Sequence, residues 1–176
     1  EFEKNGNPFA LEKVASQYDA FYDNPVGNLY DRWEKAAIEN LLPEKKEGNL
    51  LEMGCGTGHW SEFFAAQGYT VLGIDSSEKM LDIAKEKHLD GVSFQQADAH
   101  EVQLDEKFDV VAFVTSLEFM KNEKKAIENA VAHLKKGGCL ILGVLNAMGP
   151  LAKSRKDDPV YSKGTYYTQD QLEEMF

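Results

Sequence analysis

The sequence predicts an α/β fold: a doubly wound, mainly parallel sheet with helices on both faces. Three observations predict it. Short apolar runs alternate with segments of helical period, as successive strand–helix units do. The runs are continuous rather than alternating, the pattern of strands covered on both faces. The first of them, Asn49-Leu50-Leu51-Glu52-Met53, breaks into Gly54-Cys55-Gly56-Thr57-Gly58 and then into a helix. A glycine turn between strand and helix leaves backbone N–H groups pointing outward, with no Cβ to obstruct a ligand.

Taken in order, residues 1–48 precede the first core strand and read as a helical cap of the same domain. Pro8 to Tyr22 carries Phe9, Leu11, Val14, Ala15, Tyr18, Phe21 and Tyr22 near helical spacing. Asn24-Pro25-Val26-Gly27 is a turn signal. Tyr30 to Leu42 is a second helix, apolar at Trp33, Ala36, Ala37, Leu41 and Leu42, and ended by Pro43. Strands are expected at 50–53, 70–74, 92–96, 108–114 and 139–145. Helices are expected at 58–67, 77–87, 122–135 and 168–176. Gly137-Gly138 supplies the turn before the fifth strand. Residues 49–176 form the ligand-binding α/β part.

A chain of 176 residues is most simply one domain. Apolar residues at 43% and charged ones at 28% are ordinary for a globular protein. The net charge of −11 argues against nucleic acid, whose phosphates need basic clusters. The basic patch Lys153-Ser154-Arg155-Lys156 runs straight into Asp157-Asp158 and reads as a solvated loop. No apolar run approaches the roughly 20 residues of a membrane span. Cys55 and Cys139 suggest no disulfide framework, and His59, His88, His100 and His133 show no metal spacing. These features together point to a cytoplasmic protein without a metal; the oligomeric state is open.

The glycine spacing narrows the ligand. A dinucleotide fingerprint is G-x-G-x-x-G, whereas Gly54-x-Gly56-x-Gly58 brings its third glycine one residue earlier. Glu52 would repel a pyrophosphate but would suit an ammonium group. A ligand with an amino acid at one end and a nucleoside at the other meets both demands. Asp75 ends the second strand 21 positions after Gly54, the distance at which an acid accepts both hydroxyls of a ribose. Its rival duty is to cap the helix that follows, which Ser76 or Ser77 could do instead.

With these residues the chain resembles the class I (Rossmann-like) S-adenosylmethionine-dependent methyltransferases, through Glu52-Met53-Gly54-Cys55-Gly56-Thr57-Gly58 and Lys135-Lys136-Gly137-Gly138-Cys139. The resemblance runs from about Tyr18 to Phe176. It implies that Glu52, Gly54, Cys55, Gly56, Thr57 and Gly58 hold the cofactor, with Asp75 and Ser76 at the ribose. It implies that Asp98, in Gln96-Ala97-Asp98-Ala99, takes the adenine amino group while the Ala99 backbone meets a ring nitrogen. The backbone carbonyl near Ser116 is the expected partner of the ammonium group. Tyr18 and Tyr22 either pack on the sheet or close over the ligand, where aromatic faces suit a sulfonium cation. Trp60 divides in the same way between packing and cofactor contact. Asp109 begins the fourth strand, remote from the ligand, and reads as structural.

Methyl transfer from a sulfonium needs chiefly that donor and acceptor be held in line in a dry pocket. No catalytic residue is assigned; Glu118 and Tyr22 are weak candidates, Glu118 as a base or acceptor anchor. The expected reaction moves a methyl group from S-adenosyl-L-methionine to a small-molecule O, N or C acceptor, leaving S-adenosyl-L-homocysteine. The aromatic segment after the fifth strand, with Tyr161, Tyr166 and Tyr167, favours such an acceptor over a polymer. Two rivals are a non-catalytic module that senses the cofactor and an NAD-dependent oxidoreductase. The chain stops before the antiparallel strand pair that ends this fold in the family and starts at Glu1, so a missing C-terminal tail is expected.

Overall fold

The computed structural model describes residues 9, 12–155 and 157–176; Pro8, Leu11 and Lys156, named above, lie outside them. Eight helices occur among the described residues: α1 Glu12–Gln17, α2 Ala20–Asp23, α3 Pro25–Leu41, α4 His59–Ala66, α5 Glu78–Glu86, α6 Glu123–Ala132, α7 Pro150–Ser154 and α8 Gln169–Glu173. Five strands, β1 Gly48–Met53, β2 Tyr69–Asp75, β3 Val92–Gln96, β4 Phe108–Val114 and β5 Leu134–Gly143, form one sheet. Its order is β3-β2-β1-β4-β5 and every pairing is parallel. The chain starts at the centre, winds out to β3, and crosses back to β4. The ends of β1 and β4 therefore sit side by side where the winding reverses, the place a ligand occupies in an open α/β sheet.

The alternation of side chains along each strand sorts the core into two clusters. Leu51, Met53, Val111 and Phe113 pack with Ala126, Ile127 and Ala130 of α6 on one face. Leu50, Val110 and Ala112 pack with Ile38 of α3 and with Trp60 and Phe64 of α4 on the other. Leu50, Leu51, Met53 and Phe113 are wholly buried, as strands covered on both faces must be. Asp109 has the structural duty expected of it. Its Oδ2 accepts from the Asn49 backbone N–H and from Lys135 Nζ, both at 2.8 Å, tying β4 to β1 and β5.

The helices expected over 122–135 and 168–176 end early, at Ala132 and Glu173, and Lys153-Ser154, expected in a loop, close α7. Three further differences each have a local reason. The turn read at Asn24–Gly27 is the start of α3. Asn24 caps it, its side-chain oxygen accepting from the Val26 and Gly27 N–H groups, and Pro25 occupies the first helical position. Asn-Pro is a turn signal and a helix start alike, because a cap and an Asx turn use the same side-chain bond. The first N-terminal helix is broken into α1 and α2. β5 begins at Leu134, paired with Phe108, and the register shifts before Val110 meets Cys139. Gly137, at φ +78°, takes up that irregularity inside the strand.

Candidate active site

The glycine turn leaves β1 and is fastened at once to β2. The Gly54 and Cys55 N–H groups both donate to the Ile74 carbonyl, at 2.8 and 2.9 Å. Gly54, Gly56 and Gly58 all lie at positive φ (+78°, +54° and +81°). At Gly54 a side chain is excluded twice, because a Cβ there would stand 2.6 Å from Ser116 Cβ. The three glycines thus serve a backbone path that other residues resist, which is why they recur at alternate positions.

Asp75 joins the turn to the next strand end. One carboxylate oxygen accepts from the Gly56 N–H at 2.9 Å and the other from the Ser77 N–H at 2.8 Å. Burial raises its pKa, and the backbone donors of Ser77, Gly56 and Ser76 oppose that rise. The rival duty of helix cap falls to Ser77, whose hydroxyl accepts from the Met80 N–H at the start of α5. A carboxylate offers about four acceptor positions, so three backbone donors leave Asp75 capacity for a further one.

A cavity of about 560 Å³ opens over these strand ends. Of the residues singled out from the sequence, Gly54, Gly56, Asp75, Ser76, Asp98, Ala99, Ser116 and Tyr18 line it. Asp98 accepts through a single oxygen, Oδ1, from the His100 backbone N–H (2.8 Å) and ring Nδ1 (2.5 Å). Burial pushes its carboxyl up, but these bonds outweigh it and hold Asp98 below its ordinary value. The Ser116 hydroxyl donates to the Met53 carbonyl at 2.7 Å, and the Ser116 carbonyl accepts from the Phe119 N–H at 3.1 Å.

The other singled-out residues lie off this cavity wall. Glu52 shares the face of Leu50, deep in the sheet, where the Ser61 hydroxyl donates to it at 2.5 Å. Burial pushes it up to about 8, with the Ser61 bond opposing and the Asp75 charge adding. Cys55 is buried against Gly73, and burial raises its thiol. Gly58 packs on the Phe94 ring and Ala84. The Thr57 hydroxyl turns away from the cavity and donates to Asp19 at 2.6 Å, while Lys87 pairs with the other oxygen of Asp19. Tyr22 stacks on His59, ring centroids 3.7 Å apart, and His59 bonds Asp31 at 2.6 Å. Trp60 is part of the core between α3, α4 and the sheet. Glu118 is buried behind the cavity, and burial pushes it up to about 8.

The cavity also takes in Phe9, Met80 and Met120, along with His100, which follows the Asp98 motif, and Thr115 and Phe119, which flank Ser116 at the ligand end of the fourth strand. The place of Thr115 follows from the sequence; its conformation does not. It sits at φ +51°, a conformation rare for a β-branched residue, at the strand end where β4 turns over the cavity. Among the described residues no group of three His, Cys, Asp or Glu could hold a metal ion, and no helix is long and apolar enough to cross a membrane.

This arrangement can bind an adenosyl amino acid. Two carboxylates at successive strand ends can accept from ribose hydroxyls and a base amino group, and the glycine turn offers bare backbone beside them. Comparison with known proteins agrees. A family model for a methyltransferase domain matches residues 27–176. An uncharacterized protein of Methanocaldococcus jannaschii is 33% identical over 155 residues, 87% of this chain and 69% of that protein. A ubiquinone biosynthesis O-methyltransferase of Coxiella burnetii is 32% identical over 146 residues, 77% of this chain and 62% of that enzyme. The chain thus spans about two thirds of the length of these relatives. The crystal structure of a SAM-dependent methyltransferase of Thermotoga maritima, described as a possible histamine N-methyltransferase, superposes with a TM-score of 0.78. It is 27% identical, and the match covers 94% of this chain and 76% of that one. From the glycine turn and its acids to the parallel sheet that carries them, the chain belongs to the class I S-adenosylmethionine-dependent methyltransferases.

Proposed function

We propose that the protein transfers the methyl group of S-adenosylmethionine to the O, N or C atom of a small molecule by in-line displacement. Asp75 carries this reading, because it spans the glycine turn and the start of α5 with acceptor capacity left over on the cavity wall. In it Asp75 and Ser76 hold the ribose, and Asp98 with the Ala99 backbone holds the adenine. Gly54–Gly58 and the strand end at Ser116 receive the amino-acid end. Thr57 and Glu52 support the turn from below rather than touching the cofactor. Bound there, the cofactor supplies an electrophilic methyl group on a good leaving group. The chain's own part is to orient that group, exclude water and order the acceptor.

Residues 1–48 act as the cap. Phe9 and Tyr18 stand on the cavity wall, their rings edge to face at 5.8 Å, and the Phe9 carbonyl accepts from Ser77 Oγ at 3.0 Å. The Asp19 and Asp31 bonds to Thr57 and His59 hold the cap against the glycine turn. A small acceptor agrees with the acidity of the chain and with the O-methyltransferase it resembles. Thermal unfolding with S-adenosylhomocysteine and with NAD tests the cofactor: the first should raise the Tm and the second should not. Turnover on a panel of phenols, amines and acids then separates an enzyme from a sensor; tight cofactor binding without any transfer would favour the sensor.

A further inference from the structure

A second, smaller hollow lies beside the cofactor cavity. Its volume is about 30 Å³, room for one water-sized group, and Tyr22, Tyr30, Tyr161, Tyr166 and Glu34 are among its walls. Thr115, the residue at positive φ, belongs to the walls of both. The aromatic walls already hold one cation. The Arg155 guanidinium stands 4.8 Å from the Phe21 ring centroid and 4.3 Å from that of Tyr161. Its charge is matched by Asp158, at 3.3 Å.

Two carboxyls lack such a match, Glu34 on the wall and Glu118 buried near it. Glu34 keeps contact with solvent on the hollow's wall, and the neighbouring Lys35 is committed to Asp31. Glu118 is 1% exposed, and neither of its oxygens has a hydrogen-bond partner; nearby backbone N–H groups only soften the effect of burial. It lies within electrostatic reach of Glu34 and of Tyr18, Tyr161 and Tyr166. The Tyr166 hydroxyl, on the hollow's wall, is buried without a partner as well. A buried carboxyl without donor or cation is costly, and such a group in a native protein calls for an explanation. A phenolate or carboxylate brought here would set a negative charge beside two carboxyls that burial already makes harder to ionise. An ammonium group would meet aromatic faces, the Glu34 carboxyl and a free hydroxyl on the wall, with Glu118 within electrostatic reach behind it.

We propose that the methyl acceptor is a small, slender amine whose ammonium head enters this aromatic hollow between Glu34 and Glu118. The proposal rests on the methyl-transfer reading above and names the acceptor class for it. The head group gives one proton to the Glu118 carboxylate. The freed nitrogen lone pair then forms the new N–C bond, and the electron pair of the breaking C–S bond stays on sulfur. The products are a methylated ammonium ion, a neutral thioether and a protonated Glu118. Burial holds Glu118 near 8, where it can take that proton and release it again close to neutrality. The net charge of −11 adds long-range attraction for a cation.

The test is calorimetric titration of the full chain, saturated with S-adenosylhomocysteine, with n-butylamine, n-butyrate and phenol. Butylamine should bind, and the other two should bind at least about tenfold more weakly. Glu118→Gln should weaken butylamine by about tenfold or more while S-adenosylhomocysteine affinity stays the same, which shows the variant folded. Glu34→Gln should give a smaller loss. Tighter binding of butyrate through Arg155, no binding of butylamine to the cofactor-loaded protein, or an unchanged affinity in Glu118→Gln would overturn the amine proposal alone. Failure of S-adenosylhomocysteine to bind at all would overturn the methyltransferase reading and this proposal with it.

Discussion

The two sides of the site are built in different ways. The side proposed for the cofactor draws its glycine turn and its two strand-end carboxylates from one stretch, Gly54 to Ala99. The other side is assembled from side chains far apart in the chain: Tyr22 and Glu34 of the cap, Thr115 past β4, and Arg155, Tyr161 and Tyr166 beyond β5. A ligand common to a whole family can be met by a backbone path, which tolerates few sequences and so leaves a motif. A ligand peculiar to one member is met by side chains, which vary freely on the same path. The first side is therefore legible and the second is not.

The largest effect should come from breaking the backbone side. Gly54→Ala forces a side chain into positive φ and against Ser116. We expect a loss of about 2–3 kcal/mol of stability, roughly 5–10 °C in Tm, and no measurable S-adenosylhomocysteine binding. Calorimetry of the variant with and without ligand measures both. Next, Asp75→Ala should weaken S-adenosylhomocysteine by about 1–3 kcal/mol through lost charge-assisted hydrogen bonds. An unchanged Kd would remove the ribose role and with it the main asymmetry between the two sides.

Glu52 offers a pH-dependent test. Its folded pKa, about 8, lies above the ordinary glutamate value of 4.5, so the native state binds the extra proton between those limits. Stability from this group is therefore complete below about pH 4.5 and is lost as the pH rises towards 8. Glu52→Gln, which keeps the shape without the charge, should stabilise the protein by about 1–2 kcal/mol at pH 9 and hardly at all at pH 5. Denaturant melts at the two pH values decide it; an equal effect at both would mean that Glu52 is not held as a buried acid. The smallest effect is expected at the seam between the two sides. Thr57→Val removes the bond to Asp19 and should cost about 1 kcal/mol. Faster amide exchange in α1 and α2 with S-adenosylhomocysteine affinity unchanged would show Thr57 to be a cap anchor; a matching loss of affinity would return it to the cofactor.

The sequence carried the fold class, the glycine turn, the place of Asp75 at the end of the second strand, and a helix cap at Ser76 or Ser77, of which the structure uses Ser77. All of these are short-range: strand period, turn chemistry and capping act within a few residues. It misread Asn24–Gly27, since a cap and a turn share the same residues, and set β5 late because the irregularity at Gly137 hides inside the strand. It could not say that the Thr57 hydroxyl faces Asp19 rather than the cofactor. Nor could it say that Trp60 belongs to the core, since a helix of that pattern has no intrinsic inside until a sheet is laid against it.

By itself, then, the sequence determined that a strand, a bare turn and an acid 21 residues on would recur as one unit, because those features are written in local conformational preference. Only the tertiary structure decided what stands opposite that unit. Thr115 at positive φ, Glu118 without a partner and Arg155 between two rings are products of packing among distant segments, where orientation depends on every neighbour at once.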